Sequence, residues 1–224
     1  MTFSIVARCR ESGMFGTAVS SSSPAVAARC AGARAGVGAV SSQNVTDPTL
    51  RGKCLELMEQ GATSTEAVAI LSRTAMHMPH RQLLAIDKHG NTAVHSGEKT
   101  LGTWSSAQGV DAACAGNLLA REAVPDAMLE AFEGSRGHLG DRLLRAMRAA
   151  LDAGGEAGPV HSAGMYLVRE VAWPVADVRV DWSDSDPIAE LDRVWSLYKP
   201  QLEDYVSRAL NPESAPSYGV PGDE

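Results

Sequence analysis

The order of strand-like and helix-like segments is what most narrows the folds open to this chain. Thr2-Phe3-Ser4-Ile5-Val6-Ala7 alternates polar and apolar residues at period two, so that Phe3, Ile5 and Ala7 share a face. Glu11-Ser12-Gly13 reads as a turn and Phe15-Gly16-Thr17-Ala18-Val19 as a returning strand, which predicts a hairpin over residues 2–20. A third strand region is expected after Pro24. A fourth, Gly36-Val37-Gly38-Ala39-Val40, leads into the polar run Ser41-Ser42-Gln43-Asn44.

Two helices follow. Asp47-Pro48 supplies an N-cap and a proline at the first helical position, and Leu50, Cys54, Leu57 and Met58 fall on one side before Gly61. Thr63-Ser64-Thr65-Glu66 has the spacing of a capping box. Residues 81–116 read as β structure again, with a turn at Lys88-His89-Gly90-Asn91 and a short strand from Ala112 to Asn117. Residues 124–153 hold another helix pair, with Leu139, Leu143, Met147 and Leu151 at helical spacing. Met165-Tyr166-Leu167-Val168 and Val178-Arg179-Val180-Asp181 predict a last hairpin, and Asp186-Pro187 opens a final helix that Pro200 breaks or kinks. Strands therefore come in blocks separated by helix pairs. Alternating βαβ units would give a parallel sheet; this pattern gives antiparallel sheets with helices stacked outside them. One domain over residues 1–210 is expected, with a proline-rich, flexible tail over 211–224.

Charge and composition exclude several function classes. Lys and Arg total 20 against 27 Asp and Glu, a net charge of −7, and no basic run is present, so no nucleic-acid surface is expected. No stretch approaches the ~18 apolar residues of a membrane span. The start of the chain lacks the basic and apolar regions of an export signal, which points to a cytoplasmic protein. The four widely spaced cysteines then read as reduced, buried thiols.

Chemistry-bearing motifs are sparse. There is no Gly-x-Ser-x-Gly, His-Glu-x-x-His or Walker sequence, and Gly36-Val37-Gly38-Ala39-Val40-Ser41 fails as a dinucleotide fingerprint because Ser41 stands where its third small residue belongs. His77 and His80 flank a proline and have no partner ligands nearby, so neither a metal nor another cofactor is expected. His95 ends a strand from which it could enter a site, while Arg34, Gln43, Gln108 and Asn117 stand at strand ends or junctions, where ligand groups commonly sit. The most suggestive position is Thr2. Met1 followed by a small residue is the usual substrate for initiator-methionine removal, which would expose the Thr2 amine. An α-amine with a pKa of about 7.7–8.0 is partly free base near neutrality and can accept the proton of its own residue's hydroxyl, making Thr2 nucleophile and base in one.

The chain also resembles a bacterial and archaeal family catalogued as domain of unknown function 1028. The resemblance spans roughly residues 2–195. It is carried by Thr2-Phe3-Ser4-Ile5-Val6-Ala7, Ala33-Arg34-Ala35-Gly36-Val37-Gly38-Ala39-Val40 with Gln43, Gly116-Asn117-Leu118-Leu119, Val178-Arg179-Val180-Asp181 and Asp186-Pro187-Ile188-Ala189-Glu190-Leu191. It implies an α+β fold of the N-terminal-nucleophile (Ntn) hydrolases, a four-layer α-β-β-α sandwich of antiparallel sheets in which Ser20-Ser21-Ser22-Ser23 lies close to Thr2. It also implies hydrolysis of a carbon–nitrogen amide bond without metal. Relatives often carry Gln before Ser162-Ala163, where this chain has His161, so His161 is left outside the expected site. The expected activity is thus cleavage of a small-molecule amide by Thr2, with Ser22, Ser23, Arg34, Gln43, His95 and Asn117 as substrate contacts. The alternative is a catalytically silent relative that binds a small metabolite or serves as an assembly partner. A homodimer is expected from the charged strand Asp177/Arg179/Asp181 beside the aromatic stripe Trp195, Tyr198 and Tyr205.

Overall fold

The alternation that opens the chain becomes the middle of a sheet. In a computed structural model that describes residues 2–221, β1 (Thr2–Arg8) lies between β2 (Phe15–Ser21) and β8 (Ala112–Asn117). β9 (Ser162–Val168) and β10 (Ala176–Val180) extend one side and β7 (Ser105–Gly109) the other, giving six antiparallel strands in the order β10-β9-β2-β1-β8-β7. A second antiparallel sheet has the order β3-β4-β5-β6, from β3 (Ala31–Arg34), β4 (Gly38–Asn44), β5 (Arg81–Asp87) and β6 (Thr92–Ser96).

The period-two faces sort the side chains into layers. Phe3, Ile5 and Ala7 turn outward and pack with Met128 and Phe132 of α4 (Val124–Glu133), Leu143 and Met147 of α5 (Leu139–Asp152), and Trp195 of α6 (Pro187–Tyr198). Val6, Ala113 and Ala115 turn inward and meet Ala39, Leu84 and Ile86 of the second sheet. The outer face of that sheet packs Val40, Leu83 and Ala85 against Leu50 and Cys54 of α2 (Thr49–Glu59) and Val68 and Leu71 of α3 (Ser64–Thr74). The result is the expected α+β sandwich of four layers, α-β-β-α. Burying each apolar side chain stabilises it by roughly 1.5–3 kcal/mol. Ala39, Ala113 and Ala115 lie in the inter-sheet contact, and their short side chains let the two backbones approach closely.

Local sequence accounts for most element boundaries. Thr63 and Glu66 form the reciprocal capping box of α3, Asp47 accepts the Thr49 amide at 2.9 Å at the start of α2, and Asp186 caps α6 through the Ile188 and Ala189 amides. Pro200 lies in the 3-10 turn Lys199–Gln201, which separates α6 from α7 (Leu202–Leu210). The strand expected directly after Pro24 is instead preceded by α1 (Val26–Cys30). Val26, Ala27 and Cys30 bury one side of it at helical spacing, and Ala27 packs against Gly164, where a Cβ would come within 2.4 Å of it. The polar run Ser41-Ser42-Gln43-Asn44 belongs to β4 itself.

All four cysteines are free and buried. Burial raises the thiols of Cys30 and Cys54, the latter to about 12. The aromatic stripe of the last helix is core at its head, since Trp195 is only 1% exposed and donates to Asp141 at 2.8 Å. Arg179 closes onto Asp177 of its own strand. In the expected tail, Arg208 donates to the carbonyls of Pro216 and Ser217 and stacks on Tyr218; residues 222–224 lie outside the described part. Among the described residues, no helix is long and apolar enough to cross a membrane.

Candidate active site

Thr2 is the first residue of β1, on the face that looks toward the second sheet, and is 5% exposed. Its partner across β8 is Asn117. Because Phe3 stands opposite Ser20, Ser21 stands opposite Thr2, and the Thr2 hydroxyl reaches the Ser21 hydroxyl at 3.4 Å. Ser21, Thr2 and Asn117 thus form a row across three adjacent strands, all projecting into the space between the sheets.

Beneath that row runs a buried chain of polar side chains. The Ser4 hydroxyl donates to Gln43 Oε1 at 2.6 Å, and Gln43 Nε2 donates to Gln82 Oε1 at 2.7 Å and to the Ala115 carbonyl at 3.2 Å. Gln82 Nε2 donates to the Ser96 hydroxyl at 2.9 Å and to the Gly116 carbonyl at 3.2 Å. Asn117 Nδ2 donates to Gln82 Oε1 at 3.2 Å. Gln43 and Gln82 are cross-strand partners, so the network ties β4 and β5 to β1 and β8. Asn117 Oδ1 is buried and accepts no hydrogen bond among the described residues. An unmet buried acceptor costs about 1–3 kcal/mol, and this one stands beside the hydroxyl of Thr2.

At the same end of the sheet is a carboxyl that the sequence does not single out. Glu156 is 4% exposed, and both its oxygens accept from the Ser22 amide at 3.2 Å. Burial pushes it up to about 7, against the lowering effects of the chain's terminal amine and of the bonds from Ser22. It follows the turn after α5, bridged to Leu119, in a run whose sequence gives no sign of burial.

The expected site residues divide in two. Thr2, Gln43 and Asn117 meet between the sheets. Ser22 and Ser23 lie just past the end of β2, where the Ser23 amide donates to Ser21 Oγ at 3.1 Å and its carbonyl accepts from Ser162 Oγ at 2.6 Å. Arg34 is elsewhere: it pairs with Gly38 at the opposite end of β4 from Gln43 and bonds Glu59 of α2. His95 faces the helices, since it stands opposite Leu83 and its ring nitrogens meet Ser72 Oγ at 3.2 Å and the Met78 carbonyl at 3.0 Å. Gln108 lies on the edge strand β7 and is exposed. His161 stacks on Trp182 with ring centroids 4.3 Å apart and holds the Ser183 carbonyl at 2.8 Å. Among the described residues, no group of three or more His, Cys, Asp and Glu side chains could hold a metal ion. Whether Met1 is retained lies outside the described residues.

The β7–β8 register, in which Ser105 faces Gly116, brings Trp104 beside Asn117. Trp104 lines a surface depression of about 650 Å³ with Gly102, Thr103, Ser105, Ser106 and Glu122. A cleft of about 580 Å³ at the far end of β1, lined by Arg8, Arg10, Asp111 and Arg142, lies away from Thr2.

The model of a family of unknown function, DUF1028, matches residues 2–191. A Silicibacter pomeroyi protein described by the same family model, whose crystal structure is known, is similar at 27% identity and a TM-score of 0.83; the match covers 91% of this chain and 89% of that one. The ancestral β-subunit Anbu from Yersinia bercovieri is similar at 12% identity and a TM-score of 0.40, over 93% of this chain and 97% of that one. No curated protein matches.

Proposed function

The chain belongs to the DUF1028 family, whose function is unknown, and on that premise we propose that it is an Ntn-type hydrolase of small-molecule amides with Thr2 as nucleophile. The observation that carries this reading is the row Ser21–Thr2–Asn117. A hydroxyl at the first position of a central strand stands next to a buried carbonyl oxygen that finds no donor among the described residues. A substrate amide N–H supplies that donor.

The chemistry requires removal of Met1. The freed Thr2 amine accepts the proton of Thr2 Oγ1 as that oxygen attacks the substrate carbonyl carbon. The tetrahedral adduct collapses, the C–N bond breaks, and the proton passes from the Thr2 ammonium to the departing amine. Water, deprotonated by the same amine, then hydrolyses the ester on Thr2 and releases the carboxylate. Asn117 Oδ1 orients the substrate, and the Ser4–Gln43–Gln82 chain holds Asn117 in place. Gln43 therefore positions groups that touch substrate, while Arg34 and His95, engaged elsewhere, have no part in the step.

The low exposure of Thr2 favours a second reading, a silent relative that binds a small metabolite. One experiment separates the two. The chain beginning at Thr2 is incubated with a mixture of small amides and products are followed by mass, with the Thr2→Ala chain alongside. Amide loss that depends on Thr2 supports the hydrolase; binding without turnover supports the silent relative.

A further inference from the structure

We infer that Glu156 holds and orients the α-amine of Thr2 once Met1 has been removed. The inference rests on the hydrolase reading for its catalytic meaning, but the contact itself stands or falls independently of turnover.

The geometry comes from strand alternation. The Ser21 carbonyl accepts the His161 amide, so the Ser21 backbone faces β9 and that of Ser22 turns the other way, toward the lane of β1. There the Ser22 amide meets both oxygens of Glu156. The backbone around Glu156 lies in the same lane. Ala120 N donates to the Gly155 carbonyl at 3.0 Å, Ala157 N donates to the Leu118 carbonyl at 3.0 Å, and Leu119 and Glu156 form an antiparallel bridge. Leu118–Ala120 continues β8 past Asn117, the partner of Thr2. Residues 155–157 therefore occupy the position in the sheet directly ahead of Thr2, and Glu156 brings a carboxyl to the point where the α-nitrogen of a processed chain begins.

A buried carboxylate needs a cation or a proton. Among the described residues, no Lys or Arg pairs with Glu156. Arg121, which lies beside Gly154, is exposed. The described groups facing Glu156 are uncharged, Ser22 from β2, Leu119 beyond β8 and the Phe3 ring against Gly155, while the terminal amine of the chain that keeps Met1 acts on it electrostatically. Burial raises its carboxyl, and the terminal amine is the largest of the influences that lower it. In the processed chain the Thr2 amine supplies that cation, and its hydrogen bonds to Glu156 aim its lone pair at Thr2 Oγ1 after proton loss. Glu156 is thus a positioning residue.

The test titrates the α-amine. Chains beginning at Thr2 are released from a cleavable fusion partner and reductively methylated with carbon-13 formaldehyde, and the N-terminal methyl resonance is followed against pH. Glu156→Gln keeps an acceptor for the Ser22 amide, so the fold is retained, and circular dichroism checks this. The expected result is an α-amine pKa lower by about one unit in Glu156→Gln, the size of shift an adjacent carboxylate causes, with partial recovery in Glu156→Asp. The acid limb of the hydrolysis pH profile moves with it. The same titration in Thr2→Ala and in Thr2→Ala/Glu156→Gln reads the contact even when nothing is hydrolysed. Superimposable titration curves with and without Glu156 overturn the inference.

Discussion

Asn117 and Thr2 face each other across the β1–β8 ladder, and the Asn117 side chain spends its amide group on Gln82 while its carbonyl oxygen, buried, accepts no bond among the described residues. That asymmetry puts an unmet acceptor beside the proposed nucleophile.

Asn117→Leu removes that acceptor while Gln82 Oε1 keeps its bond from Gln43. Losing one buried substrate hydrogen bond is expected to lower kcat/KM by about 10–100-fold, equivalent to roughly 1.4–2.7 kcal/mol. Steady-state kinetics on a small amide checks this, and an unchanged kcat/KM shows that the oxygen does not contact substrate.

Gln43 has a structural task. Gln43→Leu leaves the Ser4 hydroxyl without its acceptor and takes donors from Gln82 Oε1 and the Ala115 carbonyl, all in the closed space between the sheets. The expected cost is about 2–3 kcal/mol. It appears as a lower urea midpoint with an unchanged slope, and a midpoint equal to wild type contradicts the network's role.

How much of this was legible in the sequence depends on whether the signal is local. The opening hairpin, the capping box at Thr63 and Glu66 and the break at Pro200 are written in neighbouring residues, and each appears as expected. β7 lacks apolar alternation because it is a short edge strand, and α1 is too short for its pattern to outweigh the strands around it. Ser41 and Gln43 read as a polar run past the end of a strand; they lie inside that strand because the interior there is itself polar, a property of two sheets meeting. Thr2 stood out through the chemistry of a chain start. Arg34 and His95 stood out as polar residues on strands, but which end and which face they occupy is set by register, which the sequence does not show. Glu156 gave no signal, because its burial follows from the turn that carries residues 155–157 into the lane of β1.

The pH dependence of stability offers a check on Glu156 in the chain that retains Met1. Burial raises its carboxyl from 4.5 to about 7, so between those values the native state keeps a proton that the unfolded chain has released. The resulting stabilisation is complete below 4.5 and is lost as pH rises through about 7. Wild type is therefore expected to lose stability relative to Glu156→Gln as urea titrations move upward through that window. A difference that stays constant with pH means the carboxyl is not perturbed.

The most direct measurement is amide turnover by the chain that begins at Thr2, beside Thr2→Ser, Thr2→Ala and the chain that keeps Met1, with intact mass establishing the first residue of each. Wild type and Thr2→Ser are expected to release product. Thr2→Ala and the Met1-bearing chain are expected to be silent, since one lacks the hydroxyl and the other has its nitrogen in an amide. Thr2→Ala is expected to cost no more than ~1 kcal/mol of stability. Turnover at the wild-type rate by Thr2→Ala, or by the chain that keeps Met1, would contradict Thr2 as the nucleophile.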